Sequence, residues 1–186
     1  MTLIPTFEIG VWNAWILMLL VFLYILLSVR IFKNVGNRIA HGEEEKKFSM
    51  FVALLFSILL IYSIFLPLKL GKAWFYMGSA IYLLGSIICT IAIANVAATP
   101  EGDPFTEGIY RYSRHPLSLG MILIFVGVGI ASASWLFLLL SAKITVVTHF
   151  MVVTEERSCL EKFGDSYREY MNRTPRWIGI PRSEEN

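Results

Sequence analysis

The chain has 186 residues, of which 56% are hydrophobic and 16% charged, and its formal net charge is +2. Ordinary globular chains carry roughly 45–50% apolar and about 25% charged residues. The small share of charge therefore excludes a typical soluble domain, and the high hydrophobicity excludes a disordered chain. A net charge this small gives no case for a nucleic-acid partner. The length is that of a single domain, which we take as residues 1–186.

The apolar residues are gathered in four blocks. Residues 9–29, 48–68 and 73–100 contain no charged side chain, and residues 117–154 contain one, Lys143. A transmembrane helix needs about 20 predominantly apolar residues, so each of the first three blocks is long enough to span a bilayer. The sequence thus predicts an integral membrane protein that crosses the membrane several times.

The fourth block is long for one span and short for two full ones, but residues 131–134 can form a tight turn between two helices. The distribution of Lys and Arg decides between these possibilities. With four spans the two sides of the membrane carry seven and eight of these residues, whereas with five spans they carry thirteen and two. Since the excess marks the cytoplasmic side, the sequence predicts five spans, an N-terminus outside and a C-terminus in the cytoplasm.

The predicted fold is an all-α membrane bundle of five transmembrane helices, the last two forming a helical hairpin, with an amphipathic C-terminal helix in the cytoplasm. The predicted spans are residues 9–32, 48–68, 73–97, 116–131 and 134–153, and the tail helix covers residues 154–172. In this topology the 101–116 loop and the tail face the same compartment, where they can meet over one end of the bundle.

Arg114, His115 and Pro116 stand at the start of the fourth predicted span. Pro116 suits the first turn of a helix, where its missing N–H is not needed. Arg114 and His115 would then lie beside free backbone donors at the positive end of a helix, which favours a ligand carboxylate. Ordinary positive-inside anchoring is the alternative interpretation of these residues.

Glu155 and Glu156 follow the last apolar helix, where they either bind a cationic group of a ligand or are solvated. Lys143 lies near the middle of the fifth predicted span, and ionisable residues at that depth usually face a cavity or a partner. His149 is seven residues before Glu156 and shares its helix face. No metal-ligand spacing such as C-x2-C occurs, so no metal is predicted.

Residues 95–182 resemble the C-terminal half of the isoprenylcysteine carboxyl methyltransferase and phospholipid methyltransferase superfamily of integral membrane methyltransferases. The matching positions occur in order along the chain: Gly108, Tyr110, Arg114, His115, Pro116, Gly120, Glu155, Glu156, Phe163, Gly164, Tyr167, Tyr170 and Pro175. Three positions differ, because Ser118 replaces a usual Tyr, Cys159 replaces a usual Leu, and Met151 replaces the Arg of prenylcysteine methyltransferases.

The resemblance implies S-adenosylmethionine as cofactor, with S-adenosylhomocysteine as product, in a cytoplasmic pocket roofed by the tail. By position, the cofactor would contact Asn95, Gly102, Asp103, Pro104, Phe105, Tyr110, His115, Pro116, Leu117, Ser118 and Glu155. The catalytic candidates are Arg114, His115, Glu155 and Glu156. The substrate-binding candidates are Met151, at the place of the Arg that steers the substrate carboxylate, and Lys143 and His149, which could supply the missing polar group.

We therefore expect a methyltransferase that resembles the isoprenylcysteine carboxyl O-methyltransferases and acts on a lipophilic, lipidated or small amphipathic acceptor among membrane lipids. Phospholipid amine N-methylation and thiol S-methylation are the alternatives within the superfamily. A membrane reductase with a similar C-terminal half, or a membrane protein without enzymatic activity, are the alternatives outside it. The oligomeric state is left open by the sequence.

Overall fold

The computed structural model describes residues 9–36, 43–100 and 104–180, and within these ranges the regular structure is helical, without strands. The all-α prediction is confirmed for this part of the chain. The helices are α1 (Trp15–Gly36), α2 (Glu43–Ile64), α3 (Ala73–Ala98), a short 3-10 helix (Gly108–Arg111), α4 (Pro116–Ala131), α5 (Trp135–Phe163) and α6 (Asp165–Arg173).

Three of the described helices are long and apolar enough to cross a membrane: α2 from Lys46 to Ile64, α3, and α5. Two shorter apolar helices, Trp15–Arg30 within α1 and Pro116–Ala131, coincide with the first and fourth predicted spans. An integral membrane protein is thus supported. The count of five spans and the orientation of the termini stay predictions.

α4 packs antiparallel against α3 through glycines that bring the two backbones into contact. A Cβ added to Gly78 of α3 would lie 2.3 Å from the backbone N of Ala131, and one added to Gly127 would lie 2.6 Å from the backbone N of Tyr82. Small residues commonly allow this close approach between membrane helices. The contact fixes the N-terminus of α4 beside the C-terminal end of α3, where Asn95 lies.

The turn between α4 and α5 occurs at residues 131–134, where the sequence predicts it. Ala133 adopts a positive φ of 53°, and the Ser134 hydroxyl accepts a hydrogen bond of 3.2 Å from the backbone N–H of Phe137, which caps α5. Ser and other short polar residues are preferred at this capping position. α4 and α5 therefore form a tight helical hairpin.

α5 is longer than the fifth predicted span, because it continues past residue 153 to Phe163 without a break. The break comes at Gly164, whose φ of +56° favours glycine, so the segment predicted as one helix from 154 to 172 is divided between the end of α5 and α6. As a result, Glu155 and Glu156 lie on a rigid extension of a long helix rather than at the start of a new one.

Candidate functional site

The N-terminus of α4 carries the first part of the site. Pro116 occupies the first turn, and His115 is the N-cap residue but makes no side-chain capping hydrogen bond. The first N–H groups of a helix have no partner within it, so the N–H groups of Leu117 and Ser118 are available beside the His115 and Arg114 side chains. This is the positive helix end that the sequence predicts.

Glu156 is the centre of a buried charged cluster, with a side chain that is only 4% exposed. Its Oε1 lies 3.2 Å from Arg114 Nη2 and 3.2 Å from His115 Nε2. Arg176 donates from Nε to both carboxylate oxygens at 3.1 Å and from Nη2 to Oε2 at 2.7 Å. The adjacent Arg114 and His115 and the distant Arg176 are thereby joined at one carboxylate.

Glu155 lies one residue away and has a different environment. Its side chain is 38% exposed, and its Oε2 is 3.6 Å from His115 Nδ1. The His115 ring therefore lies between the two carboxylates, with Nε2 toward Glu156 and Nδ1 toward Glu155. Because Glu155 is the more accessible carboxylate, it is the one that can receive a cationic group from outside the protein.

Arg114 is held by Glu156 but keeps an unused donor. Its side chain is 9% exposed, and its Nε is buried with no hydrogen-bond partner among the described residues. A buried donor without an acceptor is destabilising by about 1–3 kcal/mol. An anionic oxygen placed against the Nε of Arg114 would complete the hydrogen bonding of this side chain.

Residues 174–180, the described end of the C-terminal tail, lie directly on this cluster. The carbonyl of Pro175 accepts from the backbone N–H of Arg114 at 3.1 Å, and the backbone N–H of Gly179 donates to the carbonyl of Tyr112 at 3.1 Å. The hydrogen bond with Glu156 raises the pKa of the Arg176 guanidinium above its usual value. Arg176 is therefore a cation at this contact, at a position for which the sequence analysis assigned no role.

Asn95 and Tyr110 hold the segment before α4. The Asn95 Oδ1 accepts from the backbone N–H of Ile109 at 2.9 Å, and a Cβ on Gly108 would lie 2.3 Å from that oxygen, at a φ of +63°. Tyr170 of α6 donates its hydroxyl to the carbonyl of Tyr110 at 2.7 Å. Burial raises the pKa of the Tyr170 phenol, so it remains a donor.

A cavity of about 360 Å³ lies beside the C-terminal end of α3, with Asn95, Thr99, Pro104 and Glu107 in its lining. Asn95 and Pro104 are two of the predicted cofactor contacts. Phe105, a third, packs its ring 6.0 Å from the ring of Tyr110. The predicted contacts Gly102 and Asp103 lie outside the described residues.

The other predicted site residues lie in α4 and α5. Leu117 and Ser118 are in the first turn of α4 beside it. His149 stacks against Trp177 of the tail, with ring centroids 6.1 Å apart, and Met151 is half-buried on α5. Lys143 is exposed on the surface of α5, and no described contact joins it to the cluster.

The phospholipid methyltransferase family matches residues 75–166, about half of the chain, which includes the N-terminus of α4 and both glutamates. The resemblance to the integral membrane methyltransferases is confirmed. This chain is also similar to Methanethiol S-methyltransferase 1 of Bradyrhizobium diazoefficiens, with 35% identity over 78 residues. That alignment covers 42% of this chain and 27% of the relative's length.

Both matches support a membrane methyltransferase. The matched region ends at residue 166, so the tail that carries Arg176 lies beyond it. Sequence reasoning missed Arg176 because six Lys and Arg residues follow residue 154, and charge alone does not show which of them reaches the cluster. The available signal was its place directly after Pro175, in the proline-containing tail of the resemblance.

Proposed function

We propose that the protein is an S-adenosylmethionine-dependent methyltransferase that acts on a lipophilic or small amphipathic acceptor. The observation that carries this proposal is the arrangement at the N-terminal end of α4, where His115 lies between the buried, unsatisfied Nε donor of Arg114 and the accessible carboxylate of Glu155. All three residues belong to the segment that the family matches. We further propose five spans, with the N-terminus outside and the C-terminus in the cytoplasm.

The residues fit both charged ends of the methyl donor's amino-acid part. Arg114 Nε and the first N–H groups of α4 would hold the carboxylate, since charged hydrogen bonds and the helix end both favour an anion. Glu155 would hold the ammonium group. The adenosyl part would lie against Asn95, Pro104 and Phe105.

When bound, S-adenosylmethionine supplies a methyl group on a sulfonium, which passes to a lone pair of the acceptor and leaves S-adenosylhomocysteine. The protein's contribution is to hold donor and acceptor in line and to exclude water. The tail, fixed over the cluster through Arg176 and Gly179, would provide the cover on the aqueous side. The acceptor would enter between helices from the bilayer.

Two acceptor chemistries compete within this proposal. The resemblance to isoprenylcysteine carboxyl methyltransferases makes a prenylcysteine carboxylate the first candidate. Thiol S-methylation is the second, because the relative from Bradyrhizobium diazoefficiens is named a methanethiol S-methyltransferase. Two observations favour the second candidate. Met151 offers no charge for a substrate carboxylate, and Lys143 is exposed on α5 rather than placed at the cluster to supply that charge.

The cofactor is tested by calorimetric titration of S-adenosylhomocysteine into the purified protein in detergent. We expect binding to the wild type, with at least tenfold weaker binding to Glu155→Gln and His115→Ala. Glu161→Gln is the matched control, because Glu161 is an exposed carboxylate on the same helix. A folded wild type that binds no S-adenosylhomocysteine would overturn the proposal and favour a reductase or a protein without enzymatic activity.

The acceptor is tested with donor labelled at the methyl group. Membranes that contain the protein are given N-acetyl-farnesylcysteine, a short alkanethiol or phosphatidylethanolamine in parallel. Label in a methyl ester supports the first candidate, label in a thioether supports the second, and label in the lipid amine would overturn both.

A further inference from the structure

Arg176 and Glu156 make the most extensive side-chain contact in the described part of the tail. Arg176 gives three hydrogen bonds to Glu156, and among the described residues those to Oε2 come from Arg176 alone. Oε1 is shared with Arg114 and His115. Among the described residues, Arg176 is thus the one whose guanidinium contacts both oxygens of the carboxylate, so it is placed to set the carboxylate plane.

The backbone of the tail is fixed on both sides of Arg176. Pro175, before it, accepts from Arg114 N–H at 3.1 Å, and Gly179, after it, donates to Tyr112 at 3.1 Å. The Ser113 hydroxyl also donates to the Arg176 carbonyl at 3.3 Å. Because the backbone is held on both sides, the Cα of Arg176 is fixed relative to Glu156 and only the side-chain torsions are left to be ordered by the ion pair.

We infer that Arg176 is a positioning residue for the methyl-donor site and acts through Glu156 on Arg114. This inference rests on the proposed function. The planar guanidinium of Arg176 fixes the plane of the Glu156 carboxylate, and Glu156 fixes the Arg114 guanidinium so that its buried Nε is presented to the donor's carboxylate. Glu156 is accordingly part of the support, whereas Glu155 contacts the ligand.

Removal of Arg176 should weaken only the contacts made by the amino-acid end of the ligand. S-adenosylhomocysteine carries the carboxylate and ammonium, whereas 5′-methylthioadenosine has the same adenosyl and sulfur part without them. If Arg176 only stabilised the tail, its removal would weaken the binding of both ligands alike. If it positions Arg114, its removal weakens S-adenosylhomocysteine selectively.

The experiment compares Arg176→Gln and Arg176→Lys with Arg173→Gln, a control in which an exposed tail arginine loses its ion pair with Glu169. Dissociation constants are measured for S-adenosylhomocysteine directly and for 5′-methylthioadenosine by competition up to millimolar concentration. We expect Arg176→Gln to raise the dissociation constant of S-adenosylhomocysteine about tenfold and that of 5′-methylthioadenosine less than twofold. Arg176→Lys should recover little, because an ammonium cannot reproduce the planar fork, and Arg173→Gln should change neither constant.

A second measurement tests the route through Glu156. The double variant Glu156→Gln/Arg176→Gln should bind S-adenosylhomocysteine no more weakly than Glu156→Gln alone, because the two residues act in series. Additive losses, equal weakening of both ligands, full recovery in Arg176→Lys, or unchanged binding in Arg176→Gln would each overturn the inference. A wild type that binds neither ligand would instead overturn the proposed function.

Discussion

Two parts of the molecule hold α4 in place by opposite means. Along its length α4 meets α3 through Gly78 and Gly127, where a single added Cβ would collide with backbone atoms. At its N-terminus it is held by an ion pair of Arg114 and a hydrogen bond of His115 with the buried Glu156. The first contact requires the absence of side-chain atoms and the second requires particular ones. The helix contact therefore bears on folding, whereas under the proposed function the charged contact also bears on what the folded protein binds.

The largest effect should follow from filling the helix contact. Gly127→Val would place side-chain carbons against the backbone of Tyr82, 2.6 Å from the new Cβ, where no flexible side chain can move aside. Overpacking ordinarily costs about 1–3 kcal/mol, and we expect a loss of about 3 kcal/mol in the free energy of unfolding. The measurement is unfolding in detergent followed by circular dichroism.

The control for this variant is Ala80→Val, at an exposed position of α3, which should leave the unfolding midpoint unchanged. Equal midpoints for the two variants would show that the α3–α4 contact is looser than the glycine distances indicate.

A smaller effect on stability should separate the two glutamates. Glu156→Gln leaves Arg114 and Arg176 without their shared anion, and removing one partner of a buried ion pair costs about 3–5 kcal/mol. Because Arg176 is 31% exposed and water can solvate it, we expect about 2 kcal/mol. Glu155→Gln should stay within about 0.5 kcal/mol of the wild type while weakening S-adenosylhomocysteine binding.

This comparison is made by unfolding and ligand titration of both variants in the same detergent. Destabilisation by Glu155→Gln as large as by Glu156→Gln would remove the distinction between a supporting and a ligand-binding carboxylate.

The smallest effect concerns the link from α6 to the segment before α4. Tyr170→Phe removes the hydroxyl that donates to the Tyr110 carbonyl at 2.7 Å, and a lost hydrogen bond of this kind costs about 1 kcal/mol. Tyr112→Phe is the control, since Tyr112 is an exposed tyrosine of the adjacent loop. Identical unfolding midpoints for the two variants would contradict a stabilising role for this hydrogen bond.

The helix ends that depend on local chemistry could be predicted from the sequence. Pro116 begins α4, and the Ser134 hydroxyl caps α5, because their effects act within a turn. The end of α5 was misplaced because the change from apolar to charged residues near 154 marks a change of environment, while the backbone break needs the positive φ of Gly164.

The candidate site was only partly predictable for the same reason. His115 and the glutamates stand out as polar residues next to apolar helices, but the sequence does not show that Glu156 meets His115, 41 residues before it, and Arg176, 20 residues after it. The pattern of charges shows that cations are present in the tail, but the three-dimensional path of the backbone selects Arg176 among them.

The unbroken course of α5 from Trp135 to Phe163 couples the hairpin turn mechanically to the glutamates. Each residue of an α-helix advances the chain by 1.5 Å and, at 3.6 residues per turn, rotates it by about 100°. A single insertion or deletion between Ser134 and Glu155 would therefore swing both carboxylates around the helix axis and away from His115. The length of this stretch therefore sets the direction in which the two carboxylates face.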